Sequence, residues 1–216
     1  MRNRALGAAT LLGIGVYWGV ETNQRIAEYR AEALAAAQLS PREAAELQGT
    51  PVRGDEARAA RAGDGHAVYF LRGGFLLRTL PDGRIEALDS QDHGLVALVS
   101  ETSGVVARGR DGKVYRFAAH SKDGTHLGTG IRQIARFGSR LVAIATDGRL
   151  CVWTARTVRR TETNPALAVG GPPEVETTRT EARFEATGAG DVARVGGGVA
   201  ELTNGRSVPL EDLLPR

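Results

Sequence analysis

The chain has 216 residues, with 28 basic and 25 acidic side chains and a net charge of +3. That length allows one domain plus an appendage, or two small units. The interleaved charges form no basic stripe, so no nucleic-acid partner is expected. The single cysteine, Cys151, excludes an intramolecular disulfide and a thiolate metal cluster. Within the run Leu150-Cys151-Val152-Trp153 it reads as a small core residue.

In chain order, the first element is Ala5–Val20, a run without charge, preceded by Arg2 and Arg4 and followed by Glu21, the first acidic residue. As a helix it spans about 24 Å at ~1.5 Å per residue, short for a hydrocarbon core of ~30 Å. Tyr17 and Trp18 suit an interface, and Arg4 can snorkel. Residues 1–20 therefore read as a membrane anchor. A cleaved signal is the second reading, against which no small-x-small site closes the run. A buried soluble helix is the third, disfavoured by four glycines. Gly15 and Gly19 form a GxxxG pair, through which a partner helix can approach closely. Arg2 and Arg4 orient the N-terminus inward, leaving the remainder in the periplasm, a lumen or the intermembrane space. An acid-free, Arg-bearing start resembles mitochondrial targeting sequences. The expected location is the mitochondrial inner membrane, single-pass, with the C-terminal domain in the intermembrane space; a bacterial origin stays open.

Residues 21–48 read as a helical stalk. Ile26, Tyr29, Ala33 and Ala37 recur at helical spacing. Ser40-Pro41-Arg42-Glu43 is a helix start: Ser40 caps, Pro41 takes the first position, and Glu43 completes a capping box. That helix is expected to end near Gln48-Gly49. Residues 49–65, including Arg53-Gly54-Asp55, read as a linker.

From His66 the pattern changes to a mainly β domain over 66–216, built of hairpin repeats. Asp82-Gly83-Arg84, Asp111-Gly112-Lys113, Asp147-Gly148-Arg149 and Asn204-Gly205-Arg206 repeat one tripeptide. Their turn glycines, Gly83, Gly112, Gly148 and Gly205, supply the positive φ that tight hairpins need. Six residues before each stand Leu77, Val106, Val142 and Val199; five after, Leu88, Phe117, Trp153 and Leu210. Two after come Ile85, Val114, Leu150 and the one polar exception, Ser207. Upstream glycines Gly73, Gly104, Gly138 and Gly196 mark a second turn per unit. One hairpin cannot bury its apolar face alone, so the units must pack on each other. The stretch Thr161–Thr187, rich in Thr and Pro, holds further strands or a loop laid across a partner.

Ile131–Ala155 and Ser103–Ala118 resemble the repeat of the regulator-of-chromosome-condensation family, with Gly138, Leu141, Asp147, Gly148, Leu150 and Trp153 matching. The resemblance spans about residues 66–209. It implies a β-propeller, here reduced or partial, since four units do not make the family's usual seven blades. It also implies a regulatory alternative, because founding members promote nucleotide exchange on a small GTPase.

Catalytic chemistry is not visible in the sequence. Gly104–Lys113 lacks phosphate-loop spacing. His66, His93, His120 and His126 form no zinc-like cluster, although His120 and His126 flank Asp123-Gly124. No cofactor and no metal are expected. Arg84, Lys113, Arg149 and Arg206, one per turn, could line a rim that meets acidic partners or lipid head groups. The expectation is a non-enzymatic structural or assembly subunit of a membrane complex, an accessory subunit of a respiratory complex, with membrane-embedded protein subunits and lipid as partners in a hetero-oligomer. The alternatives are a membrane-anchored propeller acting on a small GTPase and a bacterial periplasmic binding protein.

Overall fold

The computed structural model describes residues 38–88, 94–163 and 174–215, with Glu28 and Ala35 before them. The expected anchor, with Gly15, Tyr17, Trp18 and Gly19, lies outside the described residues. Among those described, no helix is long and apolar enough to cross a membrane.

The fold is mainly β, as the hairpin pattern predicts. Four antiparallel sheets follow one another along the chain. Sheet 1 holds β1 (Ala59–Arg61), β2 (Val68–Arg72), β3 (Phe75–Thr79) and β4 (Ile85–Ala87). Sheet 2 holds β5 (Leu95–Glu101), β6 (Gly104–Gly109), β7 (Val114–Ala118) and β8 (Thr125–Gly128). Sheet 3 holds β9 (Ile131–Phe137), β10 (Arg140–Ala145), β11 (Leu150–Thr163) and β12 (Glu174–Ala186). Sheet 4 holds β13 (Val192–Gly196), β14 (Val199–Leu202) and β15 (Ser207–Pro209). Within each sheet, sequence order is spatial order. Within residues 38–88, 94–163 and 174–215, two short helices flank the sheets, α1 (Pro41–Gln48) and α2 (Leu210–Leu213).

Each repeated tripeptide closes a hairpin: β3–β4, β6–β7, β10–β11 and β14–β15. The loop has three residues rather than two. Gly83 N–H donates to Leu80 O at 3.0 Å while Leu80 N–H donates to Arg84 O at 2.8 Å, and the same pair of bonds recurs in the other three units. Only the glycine is left-handed, with φ of 81°, 77°, 85° and 81°. The preceding Asp or Asn acts through its side chain instead. Its carboxylate or amide oxygen accepts from the backbone N–H two residues on, at 3.0–3.1 Å in all four turns. That Asx bond is why the column is Asp or Asn.

Every strand presents two faces at period 2, and the columns sort by face. Leu76, Leu88, Val105, Ala107 and Phe117 meet in one cluster between sheets 1 and 2. Val106 and Val114 of sheet 2 meet Leu141, Ala143 and Cys151 of sheet 3. Val142 and Leu150 of sheet 3 meet Ala200, Val192 and Leu210 on the sheet 4 side. Sheets 2, 3 and 4 thus stack head to tail, the Val106/Leu150-type face of one against the Ala143/Leu210-type face of the next. Sheet 1 is turned over. Its Leu76 and Leu88 face sheet 2 with the same columns that sheet 2 turns toward it. Its other face, with Phe70, Phe75 and Leu77, lies under Leu39 and under Leu47 of α1.

The segment expected as a linker is instead the tie of the whole stack. Asp55 bridges Ala135 of β9, Ala57 bridges Leu98 of β5, and β1 then pairs with β2 from Ala59↔Phe70 to Arg61↔Val68. In a few residues the chain crosses three sheets, and the Asp55 carboxylate reaches the fourth by accepting from Gly197 N–H at 3.0 Å. The linker expectation failed because polar residues without periodicity resemble a loop, whereas this segment is held by backbone pairing to non-local strands. Gly54 is required at the crossing: a Cβ there would stand 2.4 Å from the Arg136 carbonyl oxygen.

The stretch Thr161–Thr187 contains the end of β11 and all of β12. Only Leu150–Val152 of β11 pair with β10. The pairs from Trp153↔Phe184 to Thr163↔Glu174 continue as a two-stranded ribbon. At its base the Trp153 and Phe184 rings meet edge to face, 5.2 Å apart, and the Arg116 guanidinium sits 5.9 Å from the Trp153 ring.

Candidate interaction surfaces

The four basic residues after the turn glycines are engaged locally in three cases. Arg84 Nε, Lys113 Nζ and Arg149 Nε lie 2.5, 2.8 and 2.7 Å from the carboxylate of their own turn Asp. These bonds hold the carboxyls below the usual aspartate range. The backbone bond to the following base is the largest cause in Asp82 and Asp147, and the Lys113 side chain is in Asp111. Arg206 follows an Asn and has no such partner. The three ion pairs belong to their own turns, and the paired bases stay well exposed at the surface.

The densest polar site is the axial tie. Glu56, mostly buried, binds Arg108 of β6 with both carboxylate oxygens at 2.7 and 3.0 Å. Its Oε1 also accepts from Ile134 N–H of β9 at 2.9 Å. One carboxylate thus joins sheets 2 and 3. Gln133 pairs with the Val195 backbone in both directions, at 2.7 and 3.1 Å, joining sheets 3 and 4. Arg78, 5 % exposed, joins sheet 1 to sheet 2 through the Ala119 carbonyl while pairing with Glu86 at 2.7 Å. The Glu56, Gln133 and Arg78 side chains each make a bond from one sheet to a neighbouring one or its loop. The signal missed in the sequence is Asp55-Glu56, two adjacent acids in an otherwise loop-like stretch.

Other candidates resolve structurally. His126 stacks edge-on with Tyr115 at 5.4 Å. Cys151 is buried in sheet 3, and that burial pushes its thiol pKa up. Among the described residues, no three His, Cys, Asp or Glu side chains converge as a metal site.

One concave surface stands out. Between α1 and sheet 1 lies a groove of about 500 Å³, lined by Leu39, Leu47, Val68, Leu80, Pro81 and Ile85 among others. The capping box of α1 is formed as the sequence predicts: Glu43 N–H donates to Ser40 Oγ at 3.3 Å and Ser40 N–H to Glu43 Oε2 at 2.8 Å. The helix is pinned over the sheet by the Arg72–Glu43 ion pair at 3.4 Å and by Arg61, which donates to Thr50 O at 2.8 Å and to Gln48 O. Yet no residue of α1 is fully buried. The helix roofs the sheet without filling the space beneath it.

No protein-family model matches the chain, and neither a curated protein nor a solved structure matches it.

Proposed function

We propose that the protein is a non-catalytic structural or assembly subunit of a membrane complex, anchored by residues 1–20 and presenting the β-sheet stack to partner subunits. The observation that carries the reading is the polarity of the stack. Its C-terminal end is finished with polar groups, while the end that receives the chain from the anchor carries an apolar groove. A domain whose ionisable groups are spent on holding sheets together, with one apolar end toward its tether, is built for contact rather than turnover. The likeness to the regulator-of-chromosome-condensation repeat rests on the sequence of Ile131–Ala155 and Ser103–Ala118. A respiratory complex of the mitochondrial inner membrane is the proposed setting, resting on the Arg-bearing, acid-free N-terminus.

Purification from native membranes in gentle detergent, with sizing and mass spectrometry of co-migrating proteins, tests the reading. The expected result is a fixed stoichiometric set of membrane subunits. Migration alone, or with a GTPase in sub-stoichiometric amount, would overturn it.

A further inference from the structure

We infer that the outer edge of β12 pairs antiparallel with β12 of a second copy of this chain, about a two-fold axis at Ala182, so that sheet 3 runs on through a homodimer. The first observation is the edge itself. β12 is the last strand of its sheet. The other sheets end on short strands. β4 and β15 have three residues each, β15 finishing on Pro209, and β8 has four with a register shift beside it. β12 has 13 residues, no proline and an unbroken register with β11. Proteins blunt such edges unless another strand covers them. Beyond Val152 the ribbon also has only two strands. Two strands alone are marginal in water, and a second copy supplies two more.

The second observation is the direction of the backbone groups. Thr187 N–H donates to Leu150 O at 2.9 Å, and Arg183 O accepts from Thr154 Oγ1 at 3.4 Å. Such groups alternate along a strand. Those of 181, 183 and 185 therefore turn to β11, and those of Thr180, Ala182 and Phe184 turn to the outer edge. Thr180 and Ala182 are exposed.

The third is charge. Arg179, Glu181, Arg183 and Glu185 alternate in sign along one face of the strand. Reversed about Ala182, the series meets its opposite at every place, Glu181 across from Arg183 and Arg179 across from Glu185. These fall at the non-hydrogen-bonded positions, where facing side chains are nearest. An axis at Glu181 or Arg183 sets like on like, and one at Thr180 or Phe184 leaves part of the series unmatched. The Arg183 side chain is 75 % exposed and reaches solvent on this edge. β11 is unsuited to the same pairing, because it carries Arg156, Arg159 and Arg160 against Glu162.

The test uses the full chain in mild detergent, sized by light scattering. A dimer is expected. Glu181→Arg and Arg183→Glu should each raise its dissociation constant about tenfold. Mixing the two variants should restore it, since every Arg then meets a Glu. A monomeric native chain, or a dimer indifferent to both reversals, would overturn the inference; the latter would place the contact elsewhere, as at Gly15 and Gly19. So would a mixture that stays monomeric while both variants melt as the native chain does. Disulfide formation gives an independent readout. Ala182→Cys should link two copies across the axis. Thr180→Cys should not, because the two copies of residue 180 stand roughly 13 Å apart along the strands, beyond disulfide reach. Equal yields from the two, or no link from Ala182→Cys, would overturn the pairing.

Discussion

The two ends of the stack solve one problem in opposite ways. At the sheet 4 end, the outward face carries the Arg194–Glu201 ion pair at 3.0 Å, Ser207 and a half-buried Val199. The short strand β15 ends in Pro209, which cannot donate to a further strand. At the sheet 1 end, the outward face is Phe70, Phe75, Leu77 and Ile85, roofed by α1. Stacked units need ends that tolerate water, as terminal repeats of solenoids do. Here one end is made polar by sequence, and the other stays apolar because the chain returns over it. The difference teaches that the repeat is not uniform: sheet 1 faces sheet 2 rather than following it, so the column that lies outermost at both ends is the same one, filled by Leu77 and Val199.

The largest expected effect comes from cutting what joins the ends. Glu56→Ala leaves the mostly buried Arg108 without its partner and removes the acceptor of Ile134 N–H; a loss of about 3 kcal/mol is expected. Chemical denaturation should then show two transitions, one per end, and a single unshifted transition would show that the tie does not couple them. Next, Leu77→Ala and Val199→Ala compare the same column at the two ends. Leu77→Ala should cost about 3 kcal/mol and Val199→Ala less than about 1. Equal losses would remove the distinction between a covered and a free end.

Smaller changes probe the turns. Gly148→Val forces a β-branched residue to the φ of 85° found there, and a loss of about 1–2 kcal/mol is expected in melting experiments. Asp191→Gly should do the reverse. Asp191 has φ 56°, the only positive φ outside glycine among the described residues, and its carbonyl accepts from Thr203 N–H as those of Gly94 and Gly130 accept from Arg110 and Thr146. Glycine there should add about 0.5–1 kcal/mol, seen as a higher Tm. The smallest effect is acid loosening of the turns. Asp82, Asp111 and Asp147 have lowered pKa values. Their contribution is complete above the ordinary aspartate value of ~3.9 and is lost as pH falls through their lower folded values. The Asn204 turn has no such group. Amide exchange below about pH 4 should therefore quicken in the first three turns relative to the fourth.

The hairpins are legible residue by residue along the chain. Asp-Gly or Asn-Gly, an apolar column before and another after, and the Ser40–Glu43 box all act over a few residues, so each can be read without knowing the fold. The core character of Cys151 was legible for the same reason, from its apolar neighbours. How the units meet is settled by contacts between distant parts of the chain. The turning over of sheet 1, the passage of Asp55–Arg61 across β9, β5 and β2, and the use of Glu56 to hold two sheets depend on partners far away in sequence. A period-2 pattern states that a strand has two faces and which residues share one; it carries no information on which other sheet each face will meet. Ser207 shows the limit and its cause together. In the sequence it was a lapse in the repeat, and in the structure it marks the one place in its column where no further layer follows.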